Sequence, residues 1–137
     1  MSTPYLILFS IIGWGVGSLF YKIANDSMHP VMVSIMVTIF YLILAPVEYV
    51  VFKPSTNVTA SGVAFALTGA LLMGVGSLTY FFALQKGGEV GGTTAMTAVY
   101  PALTLFLSWI FLKEELSFKK IIGVTLALLG VYILGKK

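Results

Sequence analysis

Gly91–Leu112 (GGTTAMTAVYPALTLFLSWIFL), the charged turn Lys113–Glu114–Glu115–Leu116–Ser117 and Phe118–Leu134 (FKKIIGVTLALLGVYIL) decide the fold. A helix needs about 20 apolar residues to cross a hydrocarbon core about 30 Å thick. Both stretches meet that need, and each is apolar on nearly all faces, as a helix in lipid is. Working outward, three more stretches of the same kind precede them: Pro4–Ala24, Pro30–Phe52 and Ala60–Leu84. Punctuation separates the spans. Asn25–Asp26–Ser27 is expected to stop the first, and Pro30 suits the start of the second. Lys53–Pro54–Ser55–Thr56–Asn57 reads as a loop, Lys86–Gly87–Gly88–Glu89 with Gly91–Gly92 as a glycine-rich break, and Ser117 as the N-cap of the fifth span. The expected fold is an all-α integral membrane protein of five transmembrane helices, one unit over residues 1–137.

Composition agrees. Of the 137 residues 58% are hydrophobic and 9% charged, with a mean hydropathy of +1.00, which leaves too little charge for the surface of a soluble domain. The net charge of +3 comes from lysines in short loops and the tail, without one arginine. That pattern suits anionic lipid headgroups and gives no footing for a nucleic-acid partner. The chain has no cysteine and one histidine. Disulfides and thiolate metal sites are excluded, and no acid–base or nucleophilic constellation points to catalysis. Lys86–Gly92 lacks the spacing and the preceding strand of a phosphate loop. No metal or cofactor is expected. The N-terminus lacks the basic region and cleavage site of a signal peptide, so its first apolar stretch is expected to be a retained span.

Five spans place the two termini on opposite sides. One side then holds Lys53, Lys113, Lys119 and Lys120; the other holds Lys22, Lys86, Lys136 and Lys137. Orientation follows lysine and arginine bias near span ends, and here the count is four against four. An even split points to dual topology and an antiparallel homodimer, since inverted repeats are a common way to build transporters. The alternative is a single orientation set by other features.

Polar groups inside the spans fall in stripes. Thr93, Thr97, Tyr100, Thr104 and Ser108 share one face of the fourth span, with Pro101 beside it. Proline removes a backbone donor and frees an upstream carbonyl, which in lipid needs a neighbour or water. The second span carries Ser34, Thr38, Tyr41 and Glu48 with Pro46 nearby, and the first carries Ser10, Trp14, Gly17 and Tyr21. A single hydroxyl of this kind usually bonds back to its own helix; stripes on three spans point to a shared polar cavity. Trp109 suits an interfacial aromatic belt. Trp14, Tyr80 and Tyr100 lie well inside their spans, where they either line an aromatic cavity or pack between helices with satisfied polar tips. Trp14, Tyr41, Tyr80, Thr97, Tyr100 and Thr104 are therefore the candidate substrate-binding residues. Small residues mark close helix approaches: Gly13 and Gly17; Gly62, Ala66, Ala70 and Gly74; Gly123, Ala127 and Gly130. Gly13, Gly17, Gly74, Gly76 and Pro101 are the hinge candidates. Lys22 and Glu48 are charges near span ends, expected to snorkel to the interface, with the further option that they meet across an antiparallel dimer. His29 is expected in a loop. Glu114 and Glu115 are expected to be solvated or to hold the turn. No carboxylate sits at mid-span, so proton coupling through one is not expected.

Trp14–Gly15, Lys22, Pro30, Ala83–Leu84, Pro101, the run Phe111–Leu112–Lys113–Glu114–Glu115–Leu116–Ser117, Gly123 and Leu129–Gly130–Val131–Tyr132 together resemble the EamA repeat of the drug/metabolite transporter superfamily, over nearly the full chain. Members with ten helices carry two inverted five-helix repeats; this chain is similar to the short bacterial and archaeal branch with one. The resemblance implies a transporter in the cell (inner) membrane of a prokaryote, with a central cavity lined mainly by the first four helices. A second copy, or a similar membrane subunit, would supply the other half. It does not carry over a substrate, since the family moves amino acids, sugars, nucleosides and drugs; a small organic metabolite or drug is the expected substrate and alternating access the expected mechanism. Small multidrug resistance proteins, relatives in that superfamily, carry an acidic residue in the middle of their first helix; this chain has none there. The rival from another class is a non-transporting scaffold or accessory flippase subunit.

Overall fold

The computed structural model describes residues 3–135. Its described residues are helical apart from short connections: α1 (Thr3–Ser27), α2 (Pro30–Phe52), α3 (Ala60–Gln85), α4 (Val90–Thr97), α5 (Tyr100–Leu107), a π-turn (Ser108–Leu112) and α6 (Phe118–Gly135). Five segments are long and apolar enough to cross a membrane, the fourth being α4, α5 and the π-turn taken together. Lys136 and Lys137, two of the lysines assigned to the second side, lie outside the described residues.

Contacts gather the chain into two compact units, one ending at Gly87 and the other beginning at Gly88. The first is an antiparallel set of three, in which α1, α2 and α3 each touch the other two. Its firm packing is at one end: Asn25 from the last turns of α1, Pro30 and Val33 from the start of α2, and Phe81 and Leu84 from the end of α3 are buried, Leu84 fully. Tyr21 lies on Phe81 with ring centroids 4.9 Å apart, and His29 meets Phe82 edge-on at 5.5 Å. At the other end Phe52, Val58 and Phe65 are largely exposed. In the second unit α4 and α5 both pack on α6. So many exposed Leu, Ile, Val and Phe side chains would be an aggregation hazard in water. On spanning helices they are the surface that meets lipid or another helix.

Local chemistry sets the ends. His29 lies in the short connection, as expected, and there serves as the N-cap of α2, its Nδ1 accepting from the Val31 N–H at 3.3 Å. Pro30 follows at the first helical position, where the missing N–H costs nothing. Thr59 caps α3 by accepting from the Gly62 N–H at 3.1 Å. Ser117 caps α6, its hydroxyl accepting from the Lys120 N–H at 3.3 Å. The Lys120 ammonium returns to the Glu115 carbonyl at 3.0 Å and lies 3.9 Å from the Glu114 carboxylate, so this charged turn is held by its own residues. Gly87 turns the chain at φ +90°, a conformation that favours glycine.

Two expectations need correction. Asn25–Asp26–Ser27 does not stop α1; the helix runs through it to Ser27. Each side chain serves the helix instead: the Asn25 amide donates to the Tyr21 carbonyl at 2.7 Å, Asp26 pairs with Lys22, and the Ser27 hydroxyl donates to the Ile23 carbonyl at 3.2 Å. The fourth span is not one continuous helix, being interrupted at Ala98–Val99. Pro46, by contrast, sits inside α2 without breaking it.

Candidate functional site

The break in the fourth span follows from hydrogen-bond accounting. Pro101 has no N–H, so the Thr97 carbonyl loses the donor that an α-helix would provide. Upstream the chain tightens: the Ala98 N–H donates to Ala95 at 3.0 Å and the Val99 N–H to Met96 at 3.4 Å. Downstream the Ala102 N–H donates to Val99 at 2.9 Å and not to Ala98. The Thr97 and Ala98 carbonyls thus receive no backbone donor among the described residues. Residues 97–101 are exposed on the chain. Glycine, threonine and valine before the proline (Gly91–Gly92–Thr93–Thr94 and Val99) are weak helix formers, so little resists the break.

The hydroxyls of the stripe turn inward on their own helix. Thr97 Oγ1 donates to the Thr94 carbonyl at 2.7 Å, taking the place that the Ala98 N–H vacates; Thr104 Oγ1 donates to Tyr100 at 3.1 Å and Ser108 Oγ to Leu105 at 3.0 Å. The same holds elsewhere: Ser10 to Leu6, Ser18 to Trp14 and Thr38 to Ser34. Each such hydroxyl has spent its one proton and keeps acceptor lone pairs.

Trp14 and Tyr100 are exposed by 68% and 57%, and Thr97 and Thr104 are exposed as well. In the first unit Tyr41 is exposed and Tyr80 is half-buried beside Phe81. Tyr21 was visible in the sequence as part of the Trp14 stripe, yet its packing on Phe81 was not. Two shallow concavities of the chain are lined by Trp109, Ile110, Lys113, Glu114 and Glu115, and by Ala45, Glu48, Tyr49, Phe52 and Pro54. Neither contains a candidate substrate-binding residue.

Lys22 does not simply snorkel. Its ammonium pairs with the Asp26 carboxylate at 2.7 Å and donates to the Leu84 carbonyl of α3 at 3.2 Å. The i, i+4 spacing of Lys22 and Asp26 was the sequence signal for this pair. Glu48 is exposed and makes no ion pair among the described residues. Asn25, 2% exposed, buries its Oδ1 without a partner. The hinge glycines Gly13, Gly17, Gly74 and Gly76 have no neighbour within 4 Å of where a Cβ would stand, and Gly123 and Gly130 have none either. At these glycines, therefore, no neighbouring helix approaches closely among the described residues of the same unit. Among the described residues no group of His, Asp and Glu could hold a metal ion.

Fold and site together define a multi-pass membrane protein of five apolar spans, one broken at mid-span and lined by polar groups. The model of the EamA-like transporter family matches residues 1–136. An uncharacterized protein of Methanocaldococcus jannaschii is 31% identical over 135 residues, covering 98% of this chain and 97% of its own. No solved structure matches. The chain belongs to the EamA-like transporter family, and so is a membrane transporter of the drug/metabolite type.

Proposed function

We propose that the protein carries a small organic metabolite or drug by alternating access, as an antiparallel homodimer in a prokaryotic inner membrane. Two inverted five-span chains then equal the two inverted repeats of a ten-helix transporter. The observation that carries this is that polar and aromatic groups stand uncovered in each unit, Trp14 and Tyr41 in the first and Thr97, Tyr100 and Thr104 in the second. Polar groups at membrane depth face a protein interior or a wet path, not lipid. A second copy is the simplest source of that interior, and the even lysine count supports its inverted orientation. The open glycine strips on α1, α3 and α6 support close contact between copies. Trp14, Tyr41, Tyr80, Thr97, Tyr100 and Thr104 contact substrate, while Gly13, Gly17, Gly74, Gly76 and Pro101 serve the rocking motion.

The test is counterflow in proteoliposomes with a panel of small organic metabolites, using Trp14→Ala and Tyr100→Phe. Loss of flux by about tenfold or more, with the dimer intact by cross-linking, is expected, since each change removes a contact to bound substrate. Disturbed assembly in both variants, with no counterflow of any panel member by the unmodified protein, would favour the scaffold or accessory subunit.

A further inference from the structure

We infer that the break at Thr97–Pro101 is the subsite for the ammonium group of a primary amine substrate, an assignment that rests on the transporter proposed above. Three observations converge within the second unit. First, the Thr97 and Ala98 carbonyls lack backbone donors. In hydrocarbon such carbonyls are costly, so donors must come from outside the helix. Second, the two threonine hydroxyls flanking the break supply no donor. Thr97 and Thr104 have each committed their proton to a carbonyl of their own helix, at 2.7 and 3.1 Å, and offer only lone pairs. Third, the exposed Tyr100 lies between them in the chain, with an aromatic face of the kind that attracts a cation.

The patch is thus richer in acceptors than in donors, with two free carbonyls against the Tyr100 hydroxyl. Residues 90–112 contain no charged side chain, so no lysine of this span fills the role and no carboxylate competes for it. An anion would meet like partial charge at both carbonyls. A quaternary ammonium could use the Tyr100 ring but has no N–H for the carbonyls. A primary ammonium, with three N–H donors, satisfies both kinds of group at once. Unwound backbone inside a broken membrane helix binds cations in this way in other transporter folds. Here the unwinding is set by one residue, Pro101.

The test uses the full chain in lipid nanodiscs and three probes of one shape: phenethylamine, its N,N,N-trimethyl analogue and 3-phenylpropionate. Equilibrium binding should rank the amine first, the trimethyl compound about tenfold or more weaker for want of charged N–H donors, and the carboxylate last. Pro101→Ala returns an N–H to the Thr97 carbonyl and should weaken the amine while narrowing its lead over the trimethyl compound. Equal binding of amine and trimethyl compound by the unmodified protein would overturn the assignment, and that comparison needs no variant. So would tighter binding of the carboxylate, or an amine affinity indifferent to Pro101→Ala in a folded variant. The two proposals separate cleanly. A chain that binds the amine with this ranking but moves nothing across liposomes keeps the subsite and loses the transport cycle. One that transports another panel member and ignores the amine does the reverse.

Discussion

Leu84 lies in the last turn of α3, where a carbonyl has no α-helical donor left to receive, and the Lys22 ammonium from α1 supplies one at 3.2 Å. The same ammonium is held by Asp26 at 2.7 Å, so one cation ties a helix end to a neighbouring helix and is itself positioned by its own. These two bonds differ in worth. The Asp26 side chain is exposed by 56%, and an exposed i, i+4 pair contributes well under 1 kcal/mol. The bond to Leu84 is charge-assisted and part-buried, in a residue that is otherwise fully buried. Its loss leaves a carbonyl unpaired and costs about 1–3 kcal/mol. Lys22→Met is therefore expected to lower the thermal unfolding temperature in detergent clearly, and Asp26→Asn only slightly. Equal effects would mean that the ion pair, not the cap on α3, is what matters.

At the scale of elements, two helices end in a residue other than glycine with positive φ: α2 at Lys53 (φ 43°) and the π-turn at Lys113 (φ 57°). A left-handed conformation costs a side chain with a Cβ about 1 kcal/mol, and glycine nothing. A lysine at a helix C-terminus recovers part of that through the helix dipole, and both lysines are among those that govern orientation. Lys53→Gly should accordingly raise the unfolding temperature modestly, by an amount corresponding to under about 1 kcal/mol; an unchanged or lower value would show that the charge outweighs the strain. The elements were also where the sequence was most and least readable. Apolar length alone located five spans, because a bilayer leaves a chain few choices. Ends were harder: Asn, Asp and Ser look like a stop to local propensity, yet on α1 Lys22, Tyr21 and Ile23 each offer them a partner one turn back. Proline was ambiguous in the same way, since Pro46 and Pro101 carry the same signal. Only the second follows Gly91, Gly92, Thr93 and Thr94, and only there does the helix give way. Hydroxyl stripes were legible as positions, and the general tendency of such hydroxyls to bond back to their own helix holds at Thr97, Thr104 and Ser108, which leaves them acceptors. Of the two carbonyls left bare there, the one that Pro101 frees was legible and the second, at Ala98, was not.

For the whole molecule the open question is orientation, because polar and aromatic groups uncovered in each unit need a partner, and an inverted partner needs chains that insert both ways. The loop after α2 offers a reporter. Ser55 is exposed, lies on the side assigned to Lys53 and Lys113, and can be changed to cysteine in a chain that has none without altering the lysine count. In intact cells Ser55→Cys is expected to label with a membrane-impermeant thiol reagent in about half of the molecules, as an unbiased count dictates. The balance should also be easily tipped. Asn57→Lys adds a positive charge to that loop, which draws the loop to the cytoplasm and should lower the labelled share. Lys113→Gln removes one from the same side and should raise it. A share that stays all or none in the parent and in both variants would show a chain inserted one way whatever its lysines. The exposed polar groups would then have to be covered by a similar subunit of opposite orientation, and co-purification of that subunit, not flux by this chain alone, would become the measure of function.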